Sequence, residues 1–198
     1  MIVVGVTGSI GSGKSTLCKQ WEKMGAKVVY ADDLAKQLMV SSKYVKTKIQ
    51  NTFGMESYNA DGSLNKSHLI AEAFKKNRVE ELNKIVHPEV AEAFQQICEV
   101  ERGKGTTVLV KEAALLFNMD KMDNYDVIVI VTTSKDHQIQ RVTQRDNVNE
   151  EDVIERLEKQ PDFEKLKSYA DFIIENNGSL EEFEEKAESL FTTIKEMD

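Results

Sequence analysis

The run Gly8-Ser9-Ile10-Gly11-Ser12-Gly13-Lys14-Ser15 follows directly on the apolar stretch Ile2-Val3-Val4-Gly5-Val6, and it constrains the fold more than any other feature of the chain. It matches the G-x-x-x-x-G-K-[S/T] pattern of a phosphate-binding loop set between a strand and a helix. Glycines at 8, 11 and 13 let the backbone bend so that successive N–H groups point inward at an anion. Lys14 then reaches the β- and γ-phosphates of a nucleotide, and Ser15 offers a hydroxyl to Mg²⁺. The helix that begins near Lys14 turns its positive dipole end toward the same anion. Ser12 and Thr16 complete the expected nucleotide contacts. A ligand-free glycine turn is the plain alternative, and it needs both the spacing and the context to arise by accident.

Periodicity along the rest of the chain predicts an α/β protein with a five-stranded parallel sheet. After strand 1 (about 2–6) and a helix over about 14–24, Lys27-Val28-Val29-Tyr30 reads as strand 2, and a further helix opens at Leu34. Such a βαβ opening implies parallel strands. Strand runs return at 106–111, 126–131 and 171–174. The second of these is continuously apolar, as a central strand covered on both faces must be. Between strands 2 and 3, residues 41–104 show helical spacing with no strand-like run, in segments near 43–53, 67–76, 78–86 and 88–102. The pair His87-Pro88 divides the last two. The expected organisation is therefore a nucleotide-binding core of 1–40 and 105–198 with a helical insertion at 41–104. Ser179-Leu180-Glu181-Glu182 is a capping box opening a final helix, with Leu180, Phe183, Ala187, Leu190 and Ile194 facing inward.

Twenty-six Lys and Arg against 34 Asp and Glu give a net charge of −8. That balance argues against general nucleic-acid or anionic-membrane binding, which call for a basic surface. An anionic substrate must then be held by a local basic cluster. Of only five arginines, Arg141, Arg145 and Arg156 fall within one 16-residue window. Arg141 and Arg145 lie one helical turn apart on one face, where forks of this kind can hold phosphoryl oxygens and form a small lid over about 138–168. Ion pairs with Glu150, Glu151 or Glu155 on a solvated helix are the other reading. No run is long and apolar enough to span a membrane, and no secretory leader is evident. Cys18 and Cys98 are far apart and read as free thiols of a cytoplasmic protein.

Three further positions carry candidate chemistry. Asp32 and Asp33 follow strand 2 on the sheet edge that also bears the phosphate loop. A carboxylate there can take a proton from an acceptor hydroxyl or position Mg²⁺ through water, or else cap the following helix; the first role falls to Asp32, and Asp33 is expected to cap or to stay solvated. Glu112, at the end of strand 3, either assists Mg²⁺ or pairs with a lysine. Asn176-Asn177-Gly178 follows strand 5 as a turn, from which Asn176 could contact a nucleotide base.

With Val6-Thr7-Gly8 through Ser15-Thr16, Ala31-Asp32, His87-Pro88, Leu115-Leu116-Phe117, Gln140-Arg141 through Arg145, Gln160, Ala170-Asp171 and Asn176-Asn177-Gly178 in this order, the chain resembles the dephospho-CoA kinase family over nearly its whole length. The resemblance implies a nucleoside-monophosphate-kinase-like core, a CoA-binding helical domain and a lid. It also implies ATP-dependent phosphorylation of the ribose 3′-hydroxyl of dephospho-CoA; ATP and Mg²⁺ are the expected cofactors, and a monomer or small homo-oligomer is the expected form. On that resemblance Lys14, Asp32, Arg141 and Arg145 are catalytic, with Asp32 at the position of the family's base. His87 falls in a His-Pro element of the substrate domain. The chain departs from the pattern at Tyr30, where an aspartate is usual, and at Ser9, where glycine is usual. It departs again at Ala114-Leu115-Leu116-Phe117-Asn118, which lacks the family's proline and glutamate.

Three other classes compete. Another phosphate-loop kinase would share the loop and differ in acceptor. A GTPase-like switch would need Asn-Lys-x-Asp, whereas Asn65-Lys66 and Asn83-Lys84 continue as Ser67-His68 and Ile85-Val86. A binding protein that has lost its chemistry would retain the nucleotide site.

Overall fold

Valine and isoleucine fill the strands of a five-stranded parallel sheet, ordered β2-β3-β1-β4-β5. In the computed structural model, which describes residues 1–119 and 122–197 with the side chains of 118 and 119 excepted, β1 is Ile2–Thr7, β2 Lys27–Tyr30, β3 Val108–Glu112, β4 Val127–Thr132 and β5 Phe172–Glu175. Strand β1 lies at the centre, with Val6 opposite both Glu112 of β3 and Val129 of β4. Every residue of β1 and β3 is buried, because helices cover both faces. Two aspartates start neighbouring strands in register: Asp126 Oδ2 accepts the Val3 N–H at 2.8 Å, and Asp171 Oδ2 accepts the Ile128 N–H at 2.7 Å.

Met1–Val29 and the chain from Cys98 onward form one compact unit, and Tyr30–Ile97 forms another. In the first, α1 (Lys14–Lys23) packs against α10 (Leu180–Lys195). The Trp21 indole, fully buried, donates to the Ala187 carbonyl at 2.8 Å and meets the Phe191 ring at 5.6 Å. The capping box at Ser179 and Glu182 forms as expected. The buried face of α10 is Phe183, Ala187, Phe191 and Ile194, and Leu180 stays 57% exposed. Contact with Trp21 turns the helix so that Phe191, not Leu190, enters the core, a choice that the 3.6-residue repeat leaves open. Helices α7 (Lys135–Asp146) and α8 (Glu150–Glu158) follow β4 and meet at Asn147, whose φ of 53° ends α7 in the left-handed conformation. The short α6 (Leu116–Met119) and α9 (Phe163–Leu166) complete this unit. Asn118 lies in α6, and its side chain is outside the described residues.

The second unit carries α2 (Ala31–Ser41), α3 (Lys43–Phe53), α4 (Lys66–Leu69) with a π-helical continuation over Ile70–Lys75, and the start of α5 (Val79–Gly103). Its own core includes Val45, Ile49, Phe53, Leu69, Ala73 and Val90. Arg78 stacks over the Phe53 ring and donates to the Thr52 carbonyl. Burial lifts the Tyr58 hydroxyl to a pKa of about 12, and that hydroxyl donates to the Met39 carbonyl at 2.6 Å.

The expected break at His87-Pro88 does not occur. Helix α5 runs unbroken through Pro88. An internal proline forfeits one helical hydrogen bond and crowds the preceding turn, at a cost of about 3 kcal/mol. Burial of Val86, Val90 and Phe94 at helical spacing on both sides of it holds the helix together.

Candidate active site

The phosphate loop leaves β1 at Gly8 and enters α1 at Lys14, with Gly13 as the N-cap at φ 107°. At Gly8 (φ 148°) a Cβ would overlap the Val131 carbonyl oxygen, and at Gly13 it would overlap the Asn176 side-chain amide. Only glycine lets the loop lie this close to β4 and to the chain beyond β5. Lys14 is 8% exposed, and its Nζ donates to the Gly8 carbonyl at 2.8 Å and the Ser9 carbonyl at 3.1 Å. The loop thus holds its own lysine over the turn. Ser15 is exposed at the start of α1, with its hydroxyl open to a ligand.

Glu112, at the end of β3, lies 4.0 Å from Lys14 Nζ and is 9% exposed. Beneath this pair is the Cys18 thiol. Burial pushes it well above its ordinary pKa, and the Glu112 and Glu22 charges push it further. Cys18 is therefore a neutral packing group and not a nucleophile. Ser15 and Glu112 supply hard oxygen donors of the kind Mg²⁺ takes. Among the described residues no three His, Cys, Asp or Glu side chains converge.

On the other side of the loop, Arg141 of α7 donates through Nη2 to the Asn176 carbonyl at 3.1 Å and to Asn176 Oδ1 at 3.3 Å. Asn176 is 7% exposed, and its Nδ2 donates to the Ser12 carbonyl at 2.8 Å. One buried amide therefore joins the phosphate loop to the first lid arginine. Asn177 Oδ1 accepts from the Ser134 N–H at 2.8 Å and so fixes the start of α7.

Arg145 and Arg156 do not pair with Glu150, Glu151 or Glu155. Both bind Asp146: Arg145 Nε reaches Oδ1 at 2.8 Å and Arg156 Nη1 reaches Oδ2 at 2.8 Å. The hydrogen bond from Arg145 leads the causes that hold the Asp146 carboxyl below its ordinary pKa, and Asp146 raises Arg145 in turn. The last residue of α7, just before the break at Asn147, is thus the one that ties the two arginines.

Asp32 and Asp33 lie in the first turn of α2, within the Tyr30–Ile97 unit. Neither caps the helix. Its N-cap is Tyr30, so of the two expectations for Asp33, a cap or a solvated carboxylate, the second holds: Asp33 is exposed and pairs with Lys36 at 2.9 Å on the surface. Asp32 is exposed and makes no hydrogen bond or ion pair among the described residues. Tyr30, at the usual aspartate position, closes β2. His87 sits in mid-α5, half-buried.

Sequence reasoning missed two side chains on the loop. Gln138 Nε2 donates to Ser9 Oγ at 2.7 Å, and Gln160 Oε1 accepts the Ile10 N–H at 2.9 Å. Gln160 belongs to the resembling pattern but carried no role there, and nothing in the spacing marks Gln138.

A dephospho-CoA kinase family model matches residues 2–182. The dephospho-CoA kinase of Salinibacter ruber is 39% identical over 195 residues, spanning 98% of either chain. That of Chlorobium chlorochromatii is 37% identical over 198 residues, spanning 98% of this chain and 93% of the relative. Among solved structures, a dephospho-CoA kinase from Campylobacter jejuni matches at a TM-score of 0.74 and 24% identity, over 98% of this chain and 97% of that one, which is a likeness of fold.

Proposed function

The chain belongs to the dephospho-CoA kinase family, and from that membership we infer that it transfers the γ-phosphoryl group of ATP to the ribose 3′-hydroxyl of dephospho-CoA. The product is coenzyme A, and the step is the last in its synthesis. The observation that carries the reading is a family match spanning residues 2–182 around a phosphate loop whose lysine is held ready by its own carbonyls.

Individual roles follow from placement. Lys14 and the loop N–H groups hold the β- and γ-phosphates, with Gly8, Gly11, Ser12, Gly13, Ser15 and Thr16 shaping or lining the turn. Mg²⁺, when bound, neutralises charge on the transferring group; Ser15 would hold it, and Glu112 would reach it through water. Arg141 sits beside the loop, and Arg145 follows one turn later, so both are assigned to the charge that spreads over the phosphoryl oxygens. Asp32 is assigned as the base that orients the acceptor hydroxyl and takes its proton. Its support is an exposed, unpaired carboxylate just past the end of β2. The Tyr30–Ile97 unit, with His87, is assigned to the acceptor, and the remainder to the nucleotide and lid.

Among the described residues no helix is long and apolar enough to cross a membrane. Two buried, unpaired cysteines suit a reducing compartment, and we place the enzyme in the cytoplasm as a monomer or small homo-oligomer. The test is mass spectrometry of dephospho-CoA incubated with the protein and ATP·Mg²⁺. Gain of one phosphoryl group is expected. Turnover of a different alcohol acceptor, with dephospho-CoA untouched, would place the chain among other small-molecule kinases.

A further inference from the structure

The lid segment is tied to the phosphate loop at two points that flank its arginines, and by adjacent loop residues. At one end, in the first turn of α7, Gln138 Nε2 donates to Ser9 Oγ at 2.7 Å and to the Thr133 carbonyl at 3.2 Å. At the other, just past α8, the Gln160 backbone is pinned by its N–H to the Leu157 carbonyl, and its Oε1 accepts the Ile10 N–H at 2.9 Å. Arg141, Arg145 and Arg156 all lie between these two ties. Ser9 is doubly placed, because its carbonyl also holds Lys14 Nζ at 3.1 Å.

We propose that Gln160 and Gln138 are positioning residues that seat the lid on the Ser9–Ile10 dipeptide, so that the lid arginines and Lys14 are set by one shared piece of backbone. Neither glutamine touches the reacting atoms. A lid that swung free of the loop would bring its arginines to the phosphoryl group in variable register. A misplacement of about 1 Å is enough to cost much of the rate. Incomplete closure would also admit water, the competing acceptor. The tie at Gln160 requires only an acceptor at the end of the side chain. The tie at Gln138 uses the hydroxyl of Ser9, which this chain has where the resembling family usually has glycine.

The kinetic consequences rest on the proposed reaction, whereas the tie itself does not, so the experiment reads both. Gln160→Leu keeps bulk and deletes the acceptor; Gln160→Glu keeps an acceptor. Amide hydrogen exchange at Ile10 in the ligand-free protein should speed up on the order of threefold to tenfold in Gln160→Leu, the range of one neutral hydrogen bond. In Gln160→Glu it should stay near wild type. With ATP·Mg²⁺ and acceptor, Gln160→Leu should lower kcat and raise the ratio of ATP hydrolysed to phosphoryl transferred, while its melting temperature moves little. In the second pair, Ser9→Gly combined with Gln138→Leu should behave like Gln138→Leu alone, since both remove the same bond. Unchanged exchange at Ile10 in Gln160→Leu, or equal loss of protection in Gln160→Glu, overturns the tie. Transfer and hydrolysis falling together in proportion to folded protein reduces both glutamines to packing and overturns the positioning role. If the wild-type protein transfers nothing to dephospho-CoA, the assigned reaction fails while the exchange result still decides the tie.

Discussion

Replacing Asn176 with alanine separates a residue that holds the nucleotide from one that holds the loop. Asn176 is 7% exposed, and its Nδ2 lies 2.8 Å from the Ser12 carbonyl, a buried bond spanning 164 positions in the chain. Removing the donor loses that bond and leaves the Ser12 carbonyl short of a partner, at a combined cost of about 1–3 kcal/mol. The Arg141 contact with the main-chain carbonyl of residue 176 survives, because it does not depend on the side chain, while the longer Arg141 bond to Asn176 Oδ1 at 3.3 Å is lost as well. With an m-value of about 2 kcal/mol/M in urea, the midpoint should fall by about 0.5–1.5 M. Trp21 is the only tryptophan, is fully buried, and lies in the same unit as Asn176, so its fluorescence reports this unit directly. Titrations of wild type and Asn176→Ala without nucleotide give the shift, and the KM for ATP is measured beside them. A midpoint equal to wild type with a raised KM would refute the bracing role and return Asn176 to direct contact with the base.

Four other outcomes follow. Lys14→Met keeps the aliphatic stem and deletes the charge, so a protein folded by Trp21 fluorescence should show no measurable transfer; ordinary turnover would remove Lys14 from the site. Arg141→Lys cannot form a fork and should lower kcat more than it raises the KM for ATP, as steady-state kinetics will read. Asp32→Asn should reduce kcat by about 10²-fold or more, the scale of positioned acid–base groups, and leave the melt nearly unchanged, because Asp32 neither caps α2 nor pairs with another described residue. The depressed Asp146 carboxyl favours the folded lid at pH above its unfolded pKa, and that contribution fades as pH falls through its lower folded value. Limited proteolysis near Asn147 should accordingly quicken on the acid side and show no such change in Asp146→Asn.

What the sequence determined is what a short window can encode. The phosphate loop required glycines, a lysine and a serine at set spacing, and the loop formed where they stand. Continuous apolar runs became buried parallel strands, and Ser179 with Glu182 capped the last helix, because these patterns satisfy nearby backbone groups. Lys14, Arg141 and Arg145 were therefore legible as candidates. Only the tertiary structure decided which of them meet and through what. The strand order places β1 between β3 and β4, so Glu112 arrives beside Lys14. Packing on Trp21 turned Phe191 inward in place of Leu190, and burial along α5 carried that helix through Pro88. Gln138, Gln160 and Asn176 reach the loop across 129, 150 and 164 positions. An uncharged amide has no periodic signature, and its partner is whichever backbone or hydroxyl group the finished fold leaves within hydrogen-bonding distance.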